Sequence, residues 1–494
     1  MDFASAMNRE TTKKLTENGA TAFSSTGVSD LLDLYATVGG MRARQNDVAN
    51  KFNACFDENP LLATRLMFYT RDIRGGLGER DSFRSMLKQL SMRHAEVVVN
   101  NIDKIPFYGR WDDLFTLMGT PAESAMWTLI CDQINSDIKN ANQGKPISLL
   151  AKWMPSINAS SKEKIRLANT IAKEFGLTPA QYRKYMSALR DYLNVLETRM
   201  SKQEWDKIAY NQVPSRAMTK YRKSFYRHDE DRFTQYISDV KQGTETIKAG
   251  TLYPYDIVEK YMEKGYDYYY YGCECRIPID DVLEVQWKAL PNYVEGEENV
   301  IIMADVSGSM WGRPMASSIG LAIYFAERNS GPYKNMFMTF SSNPQFVKLK
   351  GASLAEKVAN ARTAEWGMST NLEAAFMKVL KVAIENHVPA TEMPKAIVVI
   401  SDMEIDGCAS RNWSFYDEMV RRFEAQGYTI PNIVFWNVDA RHDTFLVDGN
   451  RKGVQLVSGQ SASTFKNVIA SIGLTPYDAM IKVLNGERYS SITL

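Results

Sequence analysis

The apolar positions of this chain follow two different rhythms, and the change falls near residue 290. Before it, apolar residues recur at helical spacing, as in Leu31-Leu32-x-Leu34-Tyr35-x-x-Val38 and Leu61-Leu62-x-x-x-Leu66-Met67-x-Tyr69. β-Branched runs are scarce there. Short punctuation separates the periodic stretches, at Arg74-Gly75-Gly76-Leu77-Gly78, Tyr108-Gly109-Arg110 and Met154-Pro155-Ser156. This pattern predicts a stack of helices of solenoid type, although no fixed repeat period emerges.

After residue 290 the rhythm shortens. Val300-Ile301-Ile302-Met303-Ala304 is a continuous apolar run of the kind that forms a buried parallel strand. Comparable runs lie at 335–340, 396–400, 433–438 and 454–457, with helical stretches predicted over 314–328, 372–384, 415–426 and 462–472. Alternating strands and helices predict a doubly wound, Rossmann-like α/β sheet. The expected organisation is therefore a multidomain α plus α/β protein. A helical-repeat module would span 1–292 and an α/β domain 293–494.

Composition excludes several alternatives. Hydrophobic residues make up 45% of the 494 positions, a globular value. The sequence has no secretory pattern after Met1 and no apolar run near 18 residues, so no membrane segment is expected and a cytoplasmic setting is. Five scattered cysteines (Cys55, Cys131, Cys273, Cys275, Cys408) do not form a disulfide framework, and the Cys273-x-Cys275 pair lacks companions for zinc. Four histidines, none paired at short spacing, argue against histidine-based metal or triad chemistry. The glycine-rich 74–80 stretch lacks the Gly-Lys-Ser/Thr of a phosphate-cradling loop and reads as an interhelical turn. Tyr268 to Tyr271, with Tyr266, read as a stacking platform or a packed junction.

Three loops concentrate oxygen donors: Asp305-Val306-Ser307-Gly308-Ser309-Met310, Gly367-Met368-Ser369-Thr370-Asn371 and Ser401-Asp402-Met403-Glu404. Two of them follow predicted strands and one opens a helix. In open α/β sheets, ligands bind at the carboxyl ends of the strands. A hard dication takes about six oxygens and tends to keep some waters. Ser307, Ser309 and Thr370 supply hydroxyls, while Asp305 and Asp402 supply charge directly or through water. Such a cation stays electrophilic, with a position open to an acidic ligand. Taken singly, Asp-x-Ser-x-Ser is also what a helix N-cap looks like. Three loops at the strand ends of one sheet are harder to explain as capping.

Those five residues complete a pattern. Residues 299–460 resemble the von Willebrand factor A domain, whose metal-ion-dependent adhesion site reads Asp-x-Ser-x-Ser, then Thr, then Asp. The resemblance implies Mg²⁺ (or Mn²⁺) held through Asp305, Ser307, Ser309, Thr370 and Asp402, and a partner protein presenting an acidic side chain. Asn371 departs from the pattern, because many relatives carry Asp there. The first half carries a second resemblance. Leu15 to Ala20, Tyr69 to Gly76, Tyr108 to Leu114 and Ala151 to Ser156 look like the TROVE module of the Ro autoantigen. Further segments around Tyr210-Asn211, Ala217 to Tyr221, Arg227 to Asp229 and Ile247 to Gly250 are similar to a branch of that family known only as a domain of unknown function. The resemblance implies a HEAT-like, TROVE-type helical assembly ahead of the α/β domain, with RNA as its ligand.

Charge distribution bears on that implication. The net charge is only +1, but residues 152–227 carry 16 Lys and Arg against 6 Asp and Glu, a net of +10. Residues 251–300 carry 4 basic against 11 acidic residues, a net of −7. The stretch Met218 to Arg227 interleaves Lys220, Arg222, Lys223 and Arg227 with Tyr221, Phe225 and Tyr226, as a phosphate backbone with stacked bases requires. Arg183, Lys184, Arg190 and Lys207 extend the candidate face. The competing reading is a set of solvated helix faces, some paired with the acidic block.

The expectation is a non-enzymatic ribonucleoprotein-type scaffold that binds RNA through its helices and an acidic partner through its metal site. A protein-only adaptor, some relatives of which act beside AAA+ ATPases, is the alternative. Metal-assisted phosphodiester chemistry ranks behind both, because no general base or second metal site is evident.

Overall fold

The computed structural model describes residue 7 and residues 10–263, 277–294, 299–364, 369–407 and 414–494. Cys273, Cys275, Cys408, Tyr266, Tyr268 to Tyr271, Gly367 and Met368 lie outside the described residues.

From Asp30 to Lys288 the regular structure of the described residues is helical. Local chemistry starts the helices. Asn59 accepts from the Leu62 amide, and Pro60 occupies the first turn of the helix Pro60–Arg71. Thr178 and Gln181 form a reciprocal capping box ahead of the helix Pro179–Tyr192, again with proline in the first turn. Each helix then turns its apolar stripe inward, as with Leu66, Met67 and Phe68 against Phe83, Met86 and Leu87. No helix among the described residues is long and apolar enough to cross a membrane.

The second half contains a six-stranded mixed sheet. Its strands are β3 (Val300–Ala304), β4 (Met336–Thr339), β5 (Phe346–Lys348), β6 (Ala396–Ser401), β7 (Asn432–Asn437) and β8 (Val454–Ser458). They lie in the order β5-β4-β3-β6-β7-β8, and only β4–β5 is antiparallel. In register, Ile301 faces Ile397 and Ile397 faces Ile433. Alternation across the pleat then divides two apolar cores. Ile302, Val398, Val434 and Trp436 pack with Ile319, Phe325 and Phe465 on one face. Ile301, Met303, Val399 and Phe435 pack with Phe376, Leu380, Phe415 and Met419 on the other. Helices thus cover both faces. The first of these cores runs without a break into that of the helices from Asp30 to Tyr192 and of Pro254–Met262, while Leu196 to Ile247 pack a third core with Val282 and Val285.

The helices Leu354–Arg362 and Pro476–Leu484 are not among those expected, and two shorter elements also escaped the apolar pattern. One is the edge strand β5. The other is a hairpin of β1 (Lys13–Leu15) and β2 (Thr21–Phe23), within a stretch whose pattern predicts helices. Both are three residues long, too short for a period to register. The hairpin belongs to the sheet-bearing half. Phe23 exchanges backbone hydrogen bonds with Phe445, and Thr16 Oγ1 donates to the Ile405 carbonyl at 2.6 Å. Just beyond, a Cβ on Gly39 would lie 2.5 Å from the Gly459 nitrogen, so that backbone crossing tolerates no side chain. Residues 485–494 cross in the opposite direction. Arg488 makes a bidentate ion pair with Asp72, Tyr489 donates to the same carboxylate at 3.0 Å, and Asn101 holds Thr493. The helix Asp281–Lys288 precedes the first strand of the six-stranded sheet at Val300, and residues near both ends of the described chain cross between the two halves.

Candidate metal site and basic cavity

Parallel pairing of β3 with β6 brings Asp305 and Asp402 out at the same edge of the sheet, with the Asp305 amide donating to the Ile400 carbonyl at 2.9 Å. Asp305 is fully buried. It accepts from the Ser307 amide at 2.8 Å and from the Ser401 hydroxyl at 2.6 Å. The Ser307 and Ser309 hydroxyls lie 3.0 Å apart. Ser307 opens a short 3₁₀ turn without making a side-chain cap, so capping does not account for these hydroxyls. Thr370 stands on the loop before the helix Leu372–Glu385 and meets the loop after β6 through Glu404 and Asp406. Its hydroxyl has Asp406 Oδ1 at 2.9 Å and the Glu404 carbonyl at 3.1 Å as acceptors and itself accepts from Asn18 Nδ2 at 3.1 Å, so a cation would have to take the place of one of these partners. Asn371, where the pattern favours aspartate, caps that helix by accepting from the Ala374 amide at 2.8 Å.

Asp402 accepts from the Glu404 amide at 3.1 Å and from Arg441 at 2.8 Å. Between them Met403 is buried at φ +68°, a left-handed conformation that a non-glycine residue holds only when its surroundings impose it. Burial, and then the negative charge of Asp402, push the Asp305 carboxyl above the ordinary carboxylate range. A dication would offset both effects. Among the described residues no three His, Cys, Asp or Glu side chains converge as metal ligands, so a cation here relies on the hydroxyls. The five donors suit a hard, oxygen-seeking ion. Trp311, two residues past Ser309, is 63% exposed at the rim of this loop.

A second feature lies among the helices. A cavity of about 1600 Å³ is lined by 13 lysines and arginines and 3 acidic residues, with Trp153, Tyr182, Tyr221, Tyr253 and Tyr255 between them. Several of these cations are partly neutralised, Arg42 by Glu79 and Arg80 by Asp81. Others sit on aromatic faces: Arg110 is 4.3 Å from the Trp153 ring centre, Arg313 is 4.4 Å from Tyr255, and Lys220 is 4.6 Å from Tyr221. Among the described residues, Lys152, Arg183 and Lys220 have no carboxylate within ion-pair distance.

The structure distributes the eight basic candidates unevenly. Arg183, Arg190 and Lys220 line the cavity. Arg190 directs its guanidinium at the Ala151 and Met154 carbonyls, which fixes the wall. Lys184, Lys223 and Arg227 are exposed outside the lining. Lys207 is also outside it and pairs with Glu204 at 2.8 Å, holding that carboxyl down at about 2 together with Arg199. Arg222 turns inward. It is 8% exposed and pairs with Asp280 at 2.9 Å, which ties the helix Ser215–His228 to the helix Asp281–Lys288. Arg216, Lys220, Lys223 and Arg227, spaced by four, three and four, share the outer stripe of the first of these helices. Further cations of the lining, including Arg42, Arg74, Arg80, Lys152, Lys248 and Arg313, come from distant segments. Apart from Lys152, none of these lies in the basic block 152–227.

Comparison with known proteins places this chain in a class defined by sequence alone. Residues 16–128 and 124–297 match the family model "Domain of unknown function (DUF2828)", and residues 299–482 match "Domain of unknown function (DUF7788)". The chain belongs to the DUF2828 family, whose model covers more than half of it. Its relatives include "Uncharacterized protein L728" of Acanthamoeba polyphaga mimivirus, 30% identical over 510 residues, covering 95% of this chain and 86% of that one. The crystal structure of the Deinococcus radiodurans RO (RSR) protein aligns with a TM-score of 0.48 at 13% identity, covering 90% of this chain and 94% of that one.

Proposed function

We propose that this protein is a non-enzymatic RNA-binding scaffold of ribonucleoprotein type. Its helical cavity takes single-stranded RNA, and a Mg²⁺ or Mn²⁺ ion at the sheet edge takes an acidic side chain of a protein partner. The observation that carries the first half is the cavity lining, in which cations outnumber carboxylates 13 to 3 and alternate with aromatic rings. Lysines and arginines meet phosphates, and ring faces stack on bases without reading their identity. This also accords with the TROVE-like segments of the sequence.

The test is titration of a 20-nucleotide single-stranded RNA at 50 and 200 mM salt. A strand that engages six phosphates should lose roughly 300-fold in affinity between the two, from a slope of about −0.7 per phosphate. Absent or salt-insensitive binding would sink the RNA reading.

In the second half of the proposal, Ser307, Ser309 and Thr370 hold the ion through their hydroxyls, and Asp305 and Asp402 orient its waters. When bound, the ion supplies a positive centre for a carboxylate. The buried carboxylate pair supports this, since Asp305 and Asp402 bring two negative charges together and Arg441 answers only that of Asp402. Saturating Mg²⁺ should raise the thermal midpoint, by the equivalent of about 2.7 kcal/mol at 100 times the dissociation constant. Ser307→Ala with Ser309→Ala should abolish the gain; the same gain in the double variant would place the ion elsewhere.

The protein-only adaptor stands as a second reading because Trp311 presents a large exposed ring beside these loops. It predicts purified protein free of nucleic acid, measured as the 260 to 280 nm absorbance ratio. It also predicts that Asp305→Ala abolishes binding of the protein partner.

A further inference from the structure

Arg441 follows β7 and reaches the same sheet edge as Asp402. Its Nη2 donates to Asp402 Oδ2 at 2.8 Å and lies 3.1 Å from Glu17 Oε2. Its Nε is buried without a hydrogen bond, 3.9 Å from Asp439. The guanidinium is therefore suspended between two carboxylates and not locked in a bidentate fork with either. Glu17 is itself fixed. Its amide donates to Glu404 at 2.7 Å, its other carboxylate oxygen meets His442 Nε2 at 2.8 Å, and neighbouring Asn18 bonds Thr370 and the Glu404 carbonyl. The β1–β2 turn thus places an acid beside the candidate metal loops, on the far side of Arg441 from Asp402.

We infer that Arg441 is the protein's own cation for this site: it neutralises Asp402 when no metal is bound, and shifts to Glu17 when a divalent ion arrives. The inference rests on the metal-site reading above. Asp402 is buried and needs a positive partner in either state. A guanidinium and a dication beside one buried carboxylate repel each other, and Arg441, 35% exposed, has room to move away. Glu17 already lies within hydrogen-bonding distance, so the exchange requires a small swing and no backbone motion. Metal binding must then displace an internal ion pair, which weakens it. Arg441, held by Glu17, remains beside the ion as a second donor for an incoming carboxylate.

The two ends of this relay should act with opposite signs, which a merely structural role for either residue does not produce. Mn²⁺ binding is measured by the paramagnetic signal of the free ion and by titration calorimetry, on the full chain, with Asp305→Ala as the variant that removes the site. Arg441→Gln should bind Mn²⁺ about tenfold more tightly than the unaltered protein. Glu17→Gln, which leaves Arg441 no second seat, should bind it several-fold more weakly. Equal or weaker binding by a folded Arg441→Gln protein, checked by circular dichroism, overturns the inference, while Mn²⁺ binding that disappears in Asp305→Ala keeps the site. Absence of Mn²⁺ binding in the unaltered protein and in Arg441→Gln alike overturns both.

Discussion

Replacing Arg183 and Lys220 together by glutamate lowers affinity for single-stranded RNA by about 100-fold or more at 100 mM salt. Both residues are exposed on the cavity wall and neither is paired with a carboxylate among the described residues. A charge-assisted hydrogen bond contributes about 1.5–3 kcal/mol, so removing two of them accounts for about 3 kcal/mol or more before repulsion is added. The salt slope falls with them, by about 0.7 for each phosphate released. The informative control is Lys184→Glu, adjacent in sequence to Arg183 but outside the lining, which should change affinity less than about threefold. Fluorescence anisotropy with a labelled oligonucleotide reads both. Equal losses at Lys184 and at the paired cavity positions would mean that a diffuse basic surface, and not the cavity, holds the strand.

The largest effect on stability is expected from Asp113→Ala. This carboxylate is fully buried and accepts from Arg71 Nε and Arg84 Nε, each at 2.7 Å, and from the Arg110 amide at 2.9 Å. Arg71 is itself only 4% exposed, so removing Asp113 strands a buried guanidinium. Breaking a buried pair from one side costs about 3–5 kcal/mol. Urea unfolding should show the midpoint falling accordingly; a change under about 1 kcal/mol would mean that water reaches Arg71. Arg71 and Arg110 also line the cavity, so the variant should bind RNA more weakly even where it remains folded. Gly109 completes the arrangement, because a Cβ there would lie 2.4 Å from Asp113 Oδ2.

What the sequence disclosed follows from how local each feature is. The central strands were legible because burial on both faces makes each a continuous apolar run, and their loops carried the Asp305, Thr370 and Asp402 donors in plain order. The hairpin was hidden, because Lys13–Leu15 pairs over three residues and the hairpin takes its packing from Phe445 and Asp406, some 400 positions away. The cavity was hidden for a similar reason. Its wall gathers residues from Arg42 to Arg313, and no window of the sequence shows them together. Arg222 was open to a better reading. Met218, Arg222 and Phe225 are spaced by four and three, which places this arginine on the apolar stripe of its helix and away from solvent. Arg441 had no such signal, because a lone arginine in a loop becomes informative only when the fold brings Asp402 and Glu17 to it.

The crossing of the two chain ends sets a timetable for biosynthesis. Phe23 leaves the ribosome 422 residues before its partner Phe445, roughly 20–80 s at typical elongation rates. Asp72 waits about as long for Arg488. Through that interval the first helices carry apolar surface and a buried-type aspartate with nothing to cover them. Long-range contacts of this kind slow folding and favour aggregation of the partly made chain. Assembly in the cell should therefore depend on chaperones during translation, until Arg488, Tyr489 and Thr493 reach Asp72 and Asn101.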